Sequence, residues 1–186
     1  MNSYLCRMRD RKLTAPEMGR LTPEEYRSRP QGGLAVVLDN VRSAYNVGSA
    51  FRTSDAFGID RIWLCGICAT PPSAEIHKTA LGAEDAVPWE HSRSTLETVR
   101  QLKADGWMVA AVEQTEKSIK LDGAWQCGPL PARYAFVFGN EVEGVRQEVV
   151  DECDFTLEIP QRGTKHSLNV AETIGIVLFE ATKSRP

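Results

Sequence analysis

Apolar and polar positions alternate along this chain with two different periods. Continuous apolar runs, typical of strands buried on both faces, predict strands at residues 34–38, 61–65, 107–112, 134–138 and 155–159. Apolar residues at helical spacing predict helices at residues 46–57, 94–103, 145–152 and 167–183. Ser94 with Glu97 forms a capping-box pattern at the start of the second helix, and Gly58 follows the end of the first. The alternation predicts an α/β fold, with a mostly parallel sheet flanked by helices.

Unusual residues cluster in the loops at one edge of this predicted sheet. Ligands of parallel sheets bind beyond the carboxyl ends of the strands. Here that rule selects the loops at residues 39–48, 113–115, 139–144 and 160–168. In the third loop, Gly139 and Gly144 flank two acids and allow the backbone to approach a ligand closely, although an ordinary strand-to-helix turn has the same composition. We therefore predict a ligand site at this edge of the sheet.

Two further segments carry groups that suit a polar ligand. Ser167 is placed to cap the last helix, whereas Asn169 falls in its first turn and can offer an amide donor and acceptor. Positive charge is added by Arg162, Lys165 and His166. On the first helix, Asn46 and Arg52 are separated by small residues, so this face can pack closely or admit a substrate. The guanidinium fork of Arg52 suits a phosphate, although surface arginines are common.

Composition narrows the class of protein. The 186 residues are 42% hydrophobic and 25% charged, as expected of one ordinary soluble domain. The apolar runs are far shorter than the roughly 18 to 20 residues of a bilayer span, and no signal-like stretch opens the chain, so we predict a cytoplasmic protein without membrane contact. The odd number of scattered cysteines predicts reduced thiols: Cys6, Cys65, Cys68, Cys127 and Cys153.

Charge divides the chain into two parts. The net charge of −3 argues against a protein coated with positive charge for non-specific nucleic-acid binding. Residues 1–30 nevertheless carry seven basic and four acidic side chains, so the remainder of the chain carries −6. We predict a basic N-terminal extension at residues 1–33 and a domain at residues 34–186. The extension is either a solvated terminus or a contact for a polyanion.

Generic site motifs are missing from the sequence. It contains no G-x-G-x-x-G, no G-x-x-x-x-G-K-[ST], no H-E-x-x-H and no G-x-S-x-G, so dinucleotide, phosphate-loop, zinc-protease and esterase sites have no support. Cys65 and Cys68 form a single C-x-x-C pair that could be redox-active or bind zinc. Because no second cysteine pair accompanies it, we interpret the two as reduced, partly buried thiols and predict no metal site.

Three segments, taken in order, resemble a known family. NVGSAFRT at residues 46–53, FGNEVEGV at 138–145 and IPQRGTKHSLNV at 159–170 are similar to the three motifs of the SpoU (TrmH) family, a branch of the SPOUT RNA methyltransferases. The resemblance spans residues 34–183. It implies a deep C-terminal trefoil knot that binds S-adenosylmethionine, a homodimer, and methyl transfer to a ribose 2′-hydroxyl of tRNA or rRNA without a metal. Only the resemblance predicts the knot, because chains in general are not knotted.

The resemblance also implies roles for individual residues. The implied catalytic residues are Asn46, Arg52, Glu141, Ser167 and Asn169. The implied cofactor-binding residues are Glu113, Gly139, Asn140, Gly144, Ile159, Gln161 and Leu168. We expect Arg52 to grip the phosphate of the target nucleotide and to orient the hydroxyl, with Glu141 holding Arg52 in place; the acceptor of the hydroxyl proton stays open. One departure follows the third motif, where Glu172 stands at a position that is often small in the family.

Three alternatives remain at this point. The same fold could methylate a base or a small molecule, since fold does not determine function, and Asn46 with Arg52 favours ribose over these. A catalytically silent RNA-binding relative is the third reading, and the intact motif residues argue against it. The basic extension is expected to contact RNA because the rest of the chain is negatively charged, with a merely solvated terminus as the alternative.

Overall fold

The computed structural model describes residues 11–14, 16–122, 128, 132–183 and 185. The strands are β1 (Leu34–Asp39), β2 (Arg61–Cys65), β3 (Trp89–Ser92), β4 (Met108–Val112), β5 (Ile119–Lys120), β6 (Tyr134–Gly139) and β7 (Phe155–Glu158). They form one sheet in the order β3-β2-β1-β6-β4-β7-β5, and every pairing between them is parallel. The predicted α/β fold with a mostly parallel sheet is confirmed.

Helices cover both faces of this sheet. They are α1 (Pro23–Ser28), α2 (Ala44–Ala56), α3 (Ala74–Ala80), α4 (Ala83–Ala86), α5 (Thr95–Ala104), α6 (Gln147–Glu152) and α7 (Val170–Thr182), with a 3-10 turn at Pro16–Met18. Alternate residues of β1 enter two separate cores: Val36 packs with the α2 and α7 side chains, and Val37 packs with α5 and α6. Burial on both faces explains why the central strands are continuously apolar in sequence.

The ends of three helices differ from the prediction. α2 begins two residues early, because Ser43 Oγ accepts a hydrogen bond from Asn46 N at 3.3 Å and caps the helix. α7 begins at Val170, and its cap is Asn169, whose Oδ1 accepts from Ala171 N at 2.8 Å. The prediction that Ser167 caps this helix was therefore wrong. α6 begins two residues late, at Gln147, because the backbone of Arg146 is not helical (ψ 141°); the amides of Val145 and Arg146 bond to carboxylates outside the helix.

Only one half of the capping box predicted at α5 forms. Ser94 Oγ accepts from Glu97 N at 3.3 Å, but Ser94 N donates to Ser92 Oγ at 3.4 Å. A complete capping box occurs instead between Thr22 and Glu25, at the start of α1. The elements that the apolar pattern did not predict are short: α1, α3, α4, β3 and β5.

Part of the basic extension docks on the domain. Tyr26 is 5% exposed, and its hydroxyl donates to Ile59 O at 2.8 Å. Asp60 accepts from Gly32 N at 2.8 Å and Gly33 N at 2.7 Å, and it pairs with Arg29 at 3.3 Å. These contacts lie at the amino ends of β1 and β2, opposite the edge at which the sequence predicts the ligand site. Residues 1–10, with Cys6, Arg7 and Arg9, lie outside the described residues.

No helix in the described part of the chain is long and apolar enough to cross a membrane.

Candidate active site

A pocket opens at the carboxyl ends of β6, β4 and β7. Its volume is about 270 Å³, and it is lined by residues 112–114, 138–144, 157–159, 161, 166–168, 170 and 173. Three of the four loops that the sequence selected contribute to its wall. The seven residues that the resemblance assigned to a cofactor all line it: Glu113, Gly139, Asn140, Gly144, Ile159, Gln161 and Leu168. The structure thus brings these seven positions together, while their roles stay predictions.

The loop after β6 can adopt its path only with glycine at both ends. A Cβ on Gly139 would lie 1.9 Å from Gly144 C, because the Asn140–Gly144 bridge brings the two ends of the loop together. Gly144 has φ +68°, and a Cβ there would lie 2.1 Å from Glu113 Oε2. Asn140 Oδ1 accepts from Val142 N at 3.0 Å and from Glu143 N at 2.9 Å. Asn140 therefore shapes the loop with its side chain.

Glu113 follows β4 and holds the same loop from the side. Its Oε1 accepts from Gln114 N at 2.9 Å, and its Oε2 accepts from Val145 N at 3.0 Å. Gln114, which the sequence analysis did not select, donates from Nε2 to His166 O at 2.8 Å. Gln114 thereby links the strand end to the loop at residues 160–169; the only sequence signal for this was its place in the loop at residues 113–115, where no role was assigned to Gln114.

Three of the predicted catalytic residues form one hydrogen-bonded group. Asn46 Nδ2 donates to Glu141 Oε1, and Asn169 Nδ2 donates to Asn46 Oδ1 at 3.3 Å. The group joins the three motif segments, although Asn46 lies 95 positions from Glu141 and 123 positions from Asn169 in the sequence. Asn46 uses both ends of its amide within the group, whereas Asn169 uses only its nitrogen there, because its Oδ1 caps α7. The motif segments thus meet through polar side chains at the mouth of the pocket.

Ser167 and Arg52 stand apart from this hydrogen-bonded group. Ser167 is exposed and lines the pocket. Arg52 is exposed, does not line the pocket and has no ion-pair partner among the described residues. It lies six residues after Asn46, about 9 Å further along α2 and away from the pocket edge. The expectation that Glu141 holds Arg52 in place was wrong within this chain, because Glu141 bonds to Asn46.

The small residues between Asn46 and Arg52 serve helix packing. A Cβ on Gly48 would lie 2.1 Å from Thr79 Oγ1 and 2.3 Å from Ile76 O, both on α3. Glycine at this position therefore allows α2 and α3 to approach closely. The sequence predicted that this face either packs closely or admits a substrate, and at Gly48 it packs closely.

The described cysteines are free thiols in apolar surroundings. Burial raises the pKa of Cys65 to about 11 and the pKa of Cys68 to about 12, so both are protonated near neutral pH. Cys68 Sγ contacts Leu38 O at 3.3 Å and accepts from Val41 N at 3.1 Å. Cys6 and Cys127 fall outside the described residues. Within the described ranges, no group of three or more His, Cys, Asp or Glu side chains is arranged to hold a metal ion.

Fold and pocket together define a class of protein. A parallel sheet covered on both faces, with a cavity beyond the carboxyl ends of adjacent strands, belongs to the ligand-binding α/β proteins. The chain is a member of the SpoU rRNA Methylase family, whose family model matches residues 33–179. This match covers the three motif segments and the pocket, and it confirms the family that the motifs indicated.

Curated relatives and solved structures agree with this membership. The chain is 36% identical over 148 residues to the 23S rRNA (guanosine-2′-O-)-methyltransferase RlmB of Nitrosomonas europaea, covering 79% of this chain and 55% of that protein. The structure of an AdoMet-bound rRNA methyltransferase from Sinorhizobium meliloti matches with a TM-score of 0.72 at 31% identity, covering 85% and 59% of the two chains. The TrmH/SpoU tRNA modifying enzyme of A. aeolicus matches with a TM-score of 0.72 at 27% identity, over 87% and 80%. The chain thus spans little more than half of the N. europaea protein.

Proposed function

We propose that this chain is an S-adenosylmethionine-dependent methyltransferase that acts on a ribose 2′-hydroxyl of RNA. The observation that carries the proposal is the pocket at the carboxyl edge, with the Glu141–Asn46–Asn169 group beside it. Relatives support it, since RlmB of N. europaea is named a guanosine-2′-O-methyltransferase of 23S rRNA and the S. meliloti structure holds AdoMet. We further infer a cytoplasmic enzyme, with tRNA or rRNA as substrate.

The lining of the pocket fits S-adenosylmethionine. The narrow backbone path at Gly139 and Gly144 leaves main-chain groups at the pocket wall, where an adenine edge can be recognised. Ile159 and Leu168 supply apolar surface for the ring. Four glutamates line the pocket and give it an acidic wall that suits a positively charged sulfonium: Glu113, Glu141, Glu143 and Glu158. When bound, the cofactor supplies a methyl group activated for attack by an oxygen nucleophile.

The polar group at the mouth of the pocket is suited to orienting the target ribose. Asn46 and Asn169 can turn amide donors and acceptors toward sugar hydroxyls, and exposed Ser167 adds a hydroxyl at the rim. Alignment of the hydroxyl with the methyl group is a large part of what such a site must supply. The guanidinium of Arg52 is free to grip the phosphate of the target nucleotide.

Uncompensated positive charge along the edge of the sheet that holds the pocket supports an RNA substrate. Arg42, Arg93 and Arg162 follow β1, β3 and β7, and they are exposed without an acidic partner among the described residues. Arg61 and Arg100, by contrast, pair with Glu90 and Glu152. Free arginines at one edge favour binding of a phosphate backbone there.

We infer that the family's knot and dimer apply to this chain. The knot is supported by the path of the chain after β7. This strand lies beyond β4, whereas α7 returns to pack on α2 and on the β6 side of the sheet. The dimer is supported by apolar side chains left exposed on α7 and at the start of α2, namely Ile176 at 41%, Phe179 at 54% and Tyr45 at 49%.

Labelled methyl transfer tests the function. Purified protein is incubated with methyl-labelled S-adenosylmethionine and either total tRNA or rRNA, and the product nucleotide is mapped. We expect label at a 2′-O-methyl ribose. Arg52→Ala should abolish transfer while AdoMet binding stays near wild type, and Arg100→Ala, which removes an arginine paired on α5, should retain transfer. Label found only on bases, or only on small molecules, would contradict the proposal.

A further inference from the structure

The loop that follows β6 is held by two carboxylates, one from each neighbouring strand. β6 lies between β1 and β4 in the sheet. Asp39, the last residue of β1, accepts Arg146 N at 3.2 Å with its Oδ2. Glu113, directly after β4, accepts Val145 N at 3.0 Å. Two consecutive backbone amides are thus bonded to carboxylates on opposite sides of the loop.

Asp39 is the more costly of the two carboxylates to bury. It is 0% exposed, and its Oδ1 accepts from Thr95 Oγ1 at 2.5 Å, Asn40 Nδ2 at 2.8 Å and the Arg146 guanidinium at 3.4 Å. A buried carboxylate is tolerated only when such donors surround it. The donors come from the loop after β1, from α5 and from the start of α6, so Asp39 joins these three segments at one point.

This arrangement bears directly on the pocket. Residues 138–144 form one of its walls, and the amides that Asp39 and Glu113 hold follow immediately after that wall. The loop itself has little slack, because the Asn140–Gly144 bridge closes it and Gly144 touches Glu113. A shift of Arg146 N would therefore move the backbone of Gly144 and the pocket wall with it.

We propose that Asp39 is a positioning residue for the cofactor pocket, which with Glu113 sets the backbone of residues 139–146 to receive S-adenosylmethionine. The inference rests on the proposed function. Asp39 does not line the pocket and touches neither cofactor nor substrate in this proposal. Its effect passes through the amide of Arg146, and the guanidinium of Arg146 reinforces that contact.

The first experiment compares two buried aspartates at opposite edges of one sheet. Asp39→Asn puts an amide nitrogen among groups that are themselves donors, so the loop should shift. Asp60→Asn is the matched control, because Asp60 is 8% exposed and also accepts two backbone amides and an arginine, but at the amino edge. Both variants should melt at lower temperature. Only Asp39→Asn should weaken AdoMet binding measured by calorimetry, by about tenfold.

A second pair of variants keeps the test decisive if Asp39→Asn does not fold. Thr95→Val removes the hydroxyl that bonds to Asp39, and Thr98→Val removes a buried hydroxyl one turn later on α5 that bonds to Ser94 O at 3.0 Å. Thr95→Val should weaken AdoMet binding by roughly three- to fivefold, the effect of one lost hydrogen bond. Thr98→Val should leave it unchanged.

Each outcome decides between the proposals. If wild-type protein binds AdoMet and Asp39→Asn binds it equally well, or if the Asp60 variant weakens binding as much, the positioning role is wrong and the proposed function stands. If Asp39→Asn does not fold, the threonine variants decide. Equal AdoMet affinities of Thr95→Val and Thr98→Val would then show that the positioning role is wrong, while the proposed function stands. If wild-type protein does not bind AdoMet, both the positioning role and the proposed function fall.

Discussion

At the residue scale, Gly144 combines a backbone and a contact requirement. Its φ is +68° and its Cβ position is filled by Glu113 Oε2. Gly144→Ala should therefore weaken AdoMet binding by at least about tenfold, because the carboxylate that holds Val145 N must move. Gly82→Ala is the control, since Gly82 has φ +94° with open space around it. It should cost about 1 kcal/mol of stability and leave AdoMet affinity unchanged. Calorimetry with both variants checks this, and equal affinities would refute it.

The buried thiols are expected to be inert in the native protein. Thiolate is the reactive species, and burial raises the pKa of Cys65 to about 11 and the pKa of Cys153 to about 12. Alkylation at pH 8 followed by mass spectrometry should therefore leave Cys65, Cys68 and Cys153 unmodified until the protein is unfolded. Labelling should appear only as the pH rises toward these raised values. Rapid labelling at pH 8, or a Cys65–Cys68 disulfide, would restore the redox interpretation of the C-x-x-C pair.

At the element scale, Asn169 has two separable roles. Its Oδ1 caps α7, and its Nδ2 donates to Asn46. Asn169→Asp keeps a good cap but loses the donor, so we expect wild-type stability with a large loss of methyl transfer. Asn169→Ala should lose about 1 kcal/mol of stability as well.

Ser94→Ala shows how much stability is lost when a helix cap alone is removed. It removes the cap of α5, and it should cost a similar free energy of unfolding with methyl transfer retained. Thermal denaturation and the transfer assay are run on the three variants. Full activity of Asn169→Asp would reduce Asn169 to a helix cap.

The helices also show why element ends are hard to place. Apolar spacing locates the buried middle of α6, yet its start depends on the non-helical backbone of the residues before it, whose amides bond to carboxylates elsewhere. Those acceptors, Asp39 and Glu113, belong to distant strands. Short elements such as α4 and β5 carry too few residues for a period to show.

At the scale of the whole molecule, Arg52 is expected to act across the proposed dimer. It makes no contact with the Glu141–Asn46–Asn169 group of its own chain, so a second copy is the simplest way to bring it to a site. Mixing Arg52→Ala with Ser167→Ala chains should then restore roughly a quarter of wild-type activity, because half of the dimers contain one intact site. Each variant alone should be inactive. A mixture without activity, or a monomer mass by light scattering, contradicts this prediction.

The salt dependence of RNA binding distinguishes two positive surfaces. The described part of the extension docks at the amino edge, and its Arg11 pairs with Glu17 at 2.6 Å, whereas Arg42 and Arg93 follow β1 and β3 at the opposite edge, which holds the pocket, without an acidic partner among the described residues. The double variant Arg42→Gln/Arg93→Gln should flatten the plot of log affinity against log salt by about 1.4 to 1.8. Deletion of residues 1–12 should change the slope less, and Arg100→Gln should not change it. A larger change on deletion would show that the extension is the main RNA contact, as its charge predicts.

The sequence by itself determined the class of fold, the family and the pocket-lining positions. Short continuous apolar runs are typical of strands that are buried on both faces. The loops that follow parallel strands lie at one edge of the sheet. The predicted cofactor positions at the strand ends, Glu113, Gly139 and Ile159, meet there because their strands pair in parallel, and the other four lie in the loops that follow these strands.

Only the tertiary structure decided how the side chains at that edge are used. Hydrogen bonds between Asn46 and Glu141, or between Asp39 and Arg146 N, join residues about a hundred positions apart, and no local pattern encodes them. The same applies to the separation of Arg52 from the pocket, which follows from the direction in which α2 leaves the pocket edge. Local spacing determines which face of an element is buried, whereas the partner of each polar group depends on which elements the folded sheet places side by side.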